Sequence, residues 1–309
     1  MIINVGQRTD IPAFYSDWFY RRIKEGFVQV RNPFYPKLVT EYRLDPEVVD
    51  ILSFCTKNPA PMLSRLDELK QFRQWWYVSI TPYGKDLEAG VPDKRQVIES
   101  FKKLSDKIGS DHIGWRYDPI LIHGKYTVSY HIRAFEKMCS LLEGYTHLCV
   151  FSFLDLYQKT KKNLPGARKV TREEQEEIAK AFFAISSKHN IVLNGCHEDR
   201  FLEKYGIQMG GCLTKEFFEK QLHVRLETPK GYVPPREGCA CLLSNDIGAY
   251  QSCLHRCLYC YVTYDHDKAI SNYRLHDPYS PMLIGHLEEG DLLRKASQES
   301  YLASQLSLF

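Results

Sequence analysis

Short apolar runs alternate along this chain with longer stretches in which apolar residues recur every three or four positions. The short runs are rich in β-branched and aromatic residues and read as strands: IINV (2–5), FVQV (27–30), DILSF (50–54), WYVSI (76–80), HIGW (112–115), HLCVFSF (147–153) and NIVLN (190–194). ACLLSN (240–245) is a candidate eighth. Between them SDWFYRRIKEG, PMLSRLDELKQF, KRQVIESFKKLSDKIG, YHIRAFEKMCSLLEG and TREEQEEIAKAFFAISSKH read as helices. In the third, Val97, Ile98, Phe101 and Leu104 share one helical face. The last opens with Thr171 and Glu174 at capping-box spacing.

Strands this apolar cannot face water, and their alternation with helices predicts a parallel sheet. Eight such units in 309 residues match an α/β fold of the (β/α)8, TIM-barrel-like kind. An open doubly wound sheet is the alternative, because strand order cannot be read from periodicity. Residues 1–225 would form the barrel body. Residues 226–265 would add a proline-rich linker or lid (LETPKGYVPPREG, 226–238), the last strand and a cysteine loop of the same domain. Residues 266–309 end in an amphipathic stretch, HLEEGDLLRKASQESYLASQLSLF, and read as a helical tail packed on the barrel or on a second subunit.

Charge and composition narrow the class only mildly. A formal charge of +3 does not announce a nucleic-acid binder. No run approaches the roughly 18 apolar residues of a membrane helix, and MIINVGQRTD lacks a basic region followed by an apolar stretch. A cytoplasmic protein with no membrane partner is expected, and there ten cysteines do not make a disulfide framework.

Polar residues follow several strands: Arg8 and Asp10, Asn32, Lys57 and Asn58, Tyr83, Arg116 and Asp118, Asp155, then His197, Glu198 and Asp199. In a parallel barrel these positions open on one face, where barrel enzymes place their active sites. Any one of them is as easily a helix cap or a solvated loop residue. Together, with Arg116 set inside hydrophobic GWRYDPIL and needing Asp118 or an anionic ligand as partner, they point to a site. Arg8, Asp10, Asn58, Arg116, Asp118 and Asp155 are the candidates for lining its pocket. Trp75, Trp76, Tyr77, Phe34 and Tyr35 read as core and loop packing rather than base-stacking platforms. YQKTKKNLPGARK (157–169) reads as a solvated loop or a phosphate contact.

Cys55 and Cys149 lie in apolar runs and read as small core residues, as do Cys139, Cys196 and Cys212. The other five fall within 22 residues, and three of them make CLHRCLYC, a C-x3-C-x2-C spacing over Cys253, Cys257 and Cys260. Zinc prefers paired C-x2-C knuckles, and only the last two cysteines have that spacing. A redox pair would leave the third thiol surplus. Three thiolates on a tight loop suit a [4Fe–4S] cube with one iron open to a non-protein ligand. Cys239 and Cys241 are accessory candidates: a second metal site, a fourth ligand, or thiols beside the cluster. His255 reads as a solvent-facing spacer, and Asp246 as a loop-orienting or cofactor-hydroxyl residue or a turn ahead of Gly248.

CLHRCLYC resembles the cluster motif of radical S-adenosylmethionine enzymes, C-x3-C-x-aromatic-C, with Tyr259 as the aromatic residue. That resemblance implies that Cys253, Cys257 and Cys260 hold the cube. Its open iron would chelate S-adenosylmethionine, whose reductive cleavage gives a 5′-deoxyadenosyl radical. The motif stands near the end of the chain rather than after the first strand, as in a circularly permuted barrel. Gly6 and Gln7 then occupy the neighbouring strand end beside Asp10, without the usual glycine-glycine-glutamate motif. The whole chain is similar to a bacterial and archaeal family known only as a domain of unknown function. The likeness rests on RTDIPAFY (8–15), KNP (57–59), WRYDPI (115–120) and the C-terminal cysteines.

The expectation is therefore an iron–sulfur enzyme acting on an unidentified small-molecule, protein or nucleic-acid substrate, reduced by a donor such as flavodoxin or ferredoxin. Two alternatives stay open. One is an iron–sulfur protein without S-adenosylmethionine, its open iron binding substrate or passing electrons. The other is a zinc-stapled barrel that binds a partner or nucleic acid.

Overall fold

The computed structural model describes residues 1–227, 232, 239–242 and 245–303. Within these residues ten strands run in chain order: β1 (Ile2–Val5), β2 (Phe27–Arg31), β3 (Leu38–Arg43), β4 (Ile51–Thr56), β5 (Arg73–Ser79), β6 (Ile113–Ile120), β7 (Leu148–Phe153), β8 (Val192–Gly195), β9 (Gln208–Met209) and β10 (Leu292–Lys295). Among the described residues eight α-helices accompany them: α1 (Ile11–Phe14), α2 (Ser16–Glu25), α3 (Lys94–Ile108), α4 (Val128–Leu142), α5 (Gln158–Asn163), α6 (Arg172–Lys188), α7 (Lys215–Leu222) and α8 (His266–Arg274).

Seven strands form one parallel sheet in the order β1-β4-β5-β6-β7-β8-β9. Their side chains alternate between two buried faces, which is why the sequence runs are continuously apolar. Trp76 stacks on Phe54 in the core shared with the helices, with ring centroids 3.9 Å apart. Trp75 and Tyr77 point to the opposite face, among Ile2, Ile51 and Val150. On the helical side α4 and α6 meet through Phe135 and Phe182, stacked 3.7 Å apart. The capping box of α6 forms as its spacing predicts, with Thr171 and Glu174 each satisfying the other's backbone amide. Residues 61–72, expected as a helix, are a 3₁₀ helix over Ala60–Leu69.

Strand pairing does not close this sheet into the eight-stranded barrel expected from the sequence; its ladder has two ends. The run at 27–30 is a strand, but it belongs to a separate three-stranded sheet ordered β10-β3-β2. There it pairs antiparallel with β3, a strand that the short-run pattern missed. The expected eighth strand (240–245) lies partly outside the described residues. What is described of that region touches both ends of the ladder. Asn4 of β1 donates to Asn245 O (2.8 Å) and accepts from Ile247 N (3.1 Å). Leu242 N donates to Leu213 O, just past β9 (2.9 Å).

Among the described residues, the helical tail expected over 266–309 is helical only in α8; 304–309 lie outside them. Leu292–Lys295 instead pair parallel with β3, because the β2–β3 hairpin would otherwise leave an unpaired backbone edge. Most of the linker segment (226–238) lies outside the described residues. Among the described residues no helix is long and apolar enough to cross a membrane.

Candidate functional site

A cavity of about 270 Å³ opens beyond the C-terminal ends of the parallel strands. Its wall combines Gly6 and Gln7 after β1, Cys55 from β4 and Arg116 and Asp118 from β6. Asp155 follows β7, Glu198 follows β8, and Tyr259 and Cys260 come from the cysteine loop. Residues spread over 255 positions of sequence thus share one wall, since parallel strands deliver all their C-terminal ends to one side.

Arg116 and Asp118, two residues apart along β6, form an ion pair, with Nε to Oδ2 at 3.2 Å and side chains only 13% and 20% exposed. Burial opposes ionisation of Asp118, but the adjacent guanidinium and the Ser152 hydroxyl outweigh it and hold the carboxyl below its ordinary range. The same guanidinium donates through Nη1 to Cys212 Sγ at 3.3 Å. Glu198 accepts from Phe153 N at 2.7 Å. Burial pushes its carboxyl up to about 8, and the nearby Asp118 and Asp155 add to the shift. Glu198 was legible in the sequence only as one of three polar residues after β8.

Arg8, Asp10 and Asn58, expected in the pocket wall, stand outside it. Asp10 is buried behind the cysteine loop. It accepts from Thr56 Oγ1 and Lys57 N, both at 2.7 Å, and caps α1 through Ala13 N. Asn58 caps the following turn through Ala60 N at 3.2 Å. Arg8 pairs loosely with Asp246 (3.9 Å) and lies over the Tyr250 ring. Asp246 accepts from Gln7 N and Gly248 N, both at 2.8 Å, and so ties the β1 end to the chain leading into the cysteines. Burial pushes its carboxyl up, against the pull of Arg8 and the amides.

The cysteine loop is anchored from several directions. His255, expected to face solvent, is 3% exposed. Its Nε2 lies 2.7 Å from Asp10 Oδ2. Residues 87–90 run alongside the loop: Leu258 N donates to Leu87 O (3.0 Å) and Gly90 N to His255 O (2.8 Å). Glu88, which sequence reasoning passed over, is fully buried there. It accepts from Lys57 (2.8 Å), Thr81 (2.7 Å), Lys94 and the Tyr259 hydroxyl. Burial would push this carboxyl up, but Lys57 and Lys94 reverse that and bring it to about 2.

The basic patch is largely exposed, as a solvated segment would be, but its first half is helical. Gln158–Asn163 form α5, and Asn163 Nδ2 donates to Tyr264 O at 2.7 Å just past the cysteines. Phe34 and Tyr35, read as packed, stand 81% and 70% exposed at the β2–β3 turn.

The donor set fits an iron–sulfur cube in chemistry. Cys253, Cys257 and Cys260 lie within electrostatic reach of one another, and burial pushes all three thiols up. Thr263 N donates to Cys260 Sγ at 3.3 Å, the kind of amide contact that tunes such clusters. Among the described residues no three His, Cys, Asp or Glu side chains converge as ligands of a single ion. Ligands of a cube bind separate corners and stand farther apart than those of one ion, so that spacing does not oppose a cluster.

Cys139 and Cys149 are core residues, as read. Cys55 lines the cavity, and Cys196 and Cys212 meet each other rather than merely filling space.

No curated protein and no solved structure matches the chain. Residues 2–262 match the family described as Domain of unknown function (DUF1848), and the chain belongs to that family.

Proposed function

We propose that this protein is an iron–sulfur enzyme of the radical S-adenosylmethionine type, with a [4Fe–4S] cluster on Cys253, Cys257 and Cys260. The observation that carries the reading is the join between the cysteine loop and the cavity. Tyr259 and Cys260 lie in the same wall as Gly6, Gln7, Arg116 and Asp118. A cluster there would sit where substrate can reach it, which a purely structural staple does not need. When bound, such a cluster supplies the electron that cleaves S-adenosylmethionine to a 5′-deoxyadenosyl radical.

The chain's own residues have definable parts. Gly6 and Gln7 offer backbone at the β1 end, with the Gln7 amide already oriented by Asp246. Arg116 and Asp118 present a fixed charge pair for a polar substrate group. Tyr259 and Glu88 tie the loop to Lys57. In the same reading the seven strands and residues 241, 242 and 245–247 make a permuted, barrel-like enclosure, and a cytoplasmic flavodoxin or ferredoxin is the electron donor.

The test is anaerobic reconstitution, an iron and sulfide count, then addition of S-adenosylmethionine and dithionite. The reading expects four irons per chain, as a cube requires, and 5′-deoxyadenosine, both lost in Cys257→Ala. Iron without cofactor binding favours the cluster protein that lacks S-adenosylmethionine. Failure to retain iron in folded protein overturns the reading.

A further inference from the structure

Four other cysteines gather beside Arg116, and one of them, Cys196, also lines the cavity. Cys196 follows β8, Cys212 follows β9, and Cys239 and Cys241 lie in the segment that touches both ends of the ladder. Cys196 Sγ is 3.5 Å from Cys212 Sγ, which is 4.0 Å from Cys241 Sγ. Cys239 lies within electrostatic reach of Cys241. Cys196, Cys212 and Cys241 are all buried.

Three features separate this cluster from ordinary core cysteines. Three distant segments contribute to it. Arg116, a permanent cation, donates to Cys212 Sγ at 3.3 Å, a contact that favours thiolate over thiol. Gly211 gives the turn room: a Cβ there would lie 2.9 Å from Cys241 Sγ and 2.3 Å from Thr214 Cγ2.

We propose that Cys196, Cys212, Cys239 and Cys241 form a tetrathiolate site for a zinc-class divalent cation, distinct from the Cys253–Cys260 loop. With zinc–sulfur bonds of about 2.3 Å, the edges of a tetrahedral site are about 3.8 Å long. The two measured separations of 3.5 and 4.0 Å bracket that edge. They are too long for a disulfide bond of about 2.05 Å. Soft thiolates select zinc over magnesium or calcium.

The thiols form a chain rather than a closed shell, in keeping with the lack of a converged triad among the described residues. Closing the shell requires Cys196 and Cys241 to draw together and the Cys239 end to swing toward them. Cys196 and Cys239 both line one solvent-open cavity, which supplies the entry path. The incoming ion displaces four thiol protons to solvent and leaves a dianionic complex, partly offset by Arg116. Its consequence is mechanical: the ion would pin residues 239–242 beside the β8 and β9 ends, upstream of the cysteine loop.

The test uses the full chain carrying Cys257→Ala, prepared anaerobically, so that the outcome does not depend on the iron–sulfur reading. The protein is stripped with chelator, reloaded with zinc, desalted and alkylated, and each cysteine is followed by mass spectrometry. The proposal expects retained stoichiometric zinc and loss of alkylation at Cys196, Cys212, Cys239 and Cys241. A Cys196→Ser, Cys212→Ser double variant should lose the zinc; the protection measurement stands without it if that variant fails to fold. No retained zinc, with alkylation of the four unchanged, overturns the proposal. So does a folded Cys196→Ser, Cys212→Ser variant that retains as much zinc as its parent.

Discussion

His255 Nε2 lies 2.7 Å from Asp10 Oδ2, joining the middle of the cysteine loop to the first helical turn after β1 across 245 positions of sequence. The same carboxylate accepts from Thr56 Oγ1 and Lys57 N, so one buried group registers three segments against each other. Its removal leaves several donors unsatisfied. Asp10→Ala is expected to cost about 3 kcal/mol and to speed alkylation of Cys253. Urea denaturation at neutral pH and cysteine labelling check both effects.

Glu88 serves the neighbouring contact in the same way. Four side chains donate to its carboxylate, two of them lysines, and its side chain is fully buried. Glu88→Gln keeps the shape but turns an acceptor into a donor facing Lys57 or Lys94. A loss of about 3–5 kcal/mol is expected, read from the urea midpoint. A loss below 1 kcal/mol would show that water already satisfies the lysines.

Gly90 is required by close approach rather than by backbone angle. A Cβ there would stand 2.2 Å from Leu254 O and 2.9 Å from His255 Cα. Gly90→Ala must push the cysteine loop outward, at about 2 kcal/mol or more, with a matching fall in iron retained on reconstitution. The control is Gly124→Ala, which meets nothing within 4 Å and carries only the strain of φ +56. It should lower the melting temperature while leaving iron content unchanged.

His131 gives the fold an acid-sensitive point away from the cysteines. Its ring is buried between the Tyr117 hydroxyl (2.9 Å) and Leu121 O (2.9 Å). Burial lowers its pKa from 6.5 to about 4, with only partial relief from the Leu121 carbonyl. The folded protein therefore binds this proton less readily than the unfolded chain. The stabilisation is complete above pH 6.5 and is lost as pH falls toward 4, by up to about 3 kcal/mol. A urea series across that window should slope downward, and His131→Gln should flatten the slope. An unchanged slope in the variant would assign the acid sensitivity to other groups.

The apolar runs showed where parallel strands lie because burial on both faces leaves no polar alternation, and β1 and β4 to β8 fall on such runs. The helices with one clear face, α3 and α6 above all, were legible for the same local reason. β3 was missed because LVTEYR carries polar residues, and only its partners β2 and β10 make it a strand. Leu292–Lys295 looked helical because an amphipathic pattern does not reveal that an open backbone edge waits 250 residues upstream.

The same division holds for the site. Local spacing alone singled out Cys253, Cys257 and Cys260, since three thiols in eight residues are a chemical statement wherever they lie. That Arg116 would need an anion was also readable, because a cation within a hydrophobic run must be paired when it is buried. The tertiary structure decided which charges meet. It put Glu88 beneath Tyr259, moved Asp10 and His255 from wall and surface into one buried pair, and brought Cys196 and Cys212 within 3.5 Å. Sequence determines what a short segment can do by itself. Contacts between segments more than a hundred residues apart depend on how parallel strands collect their ends on one side, and no local pattern encodes that.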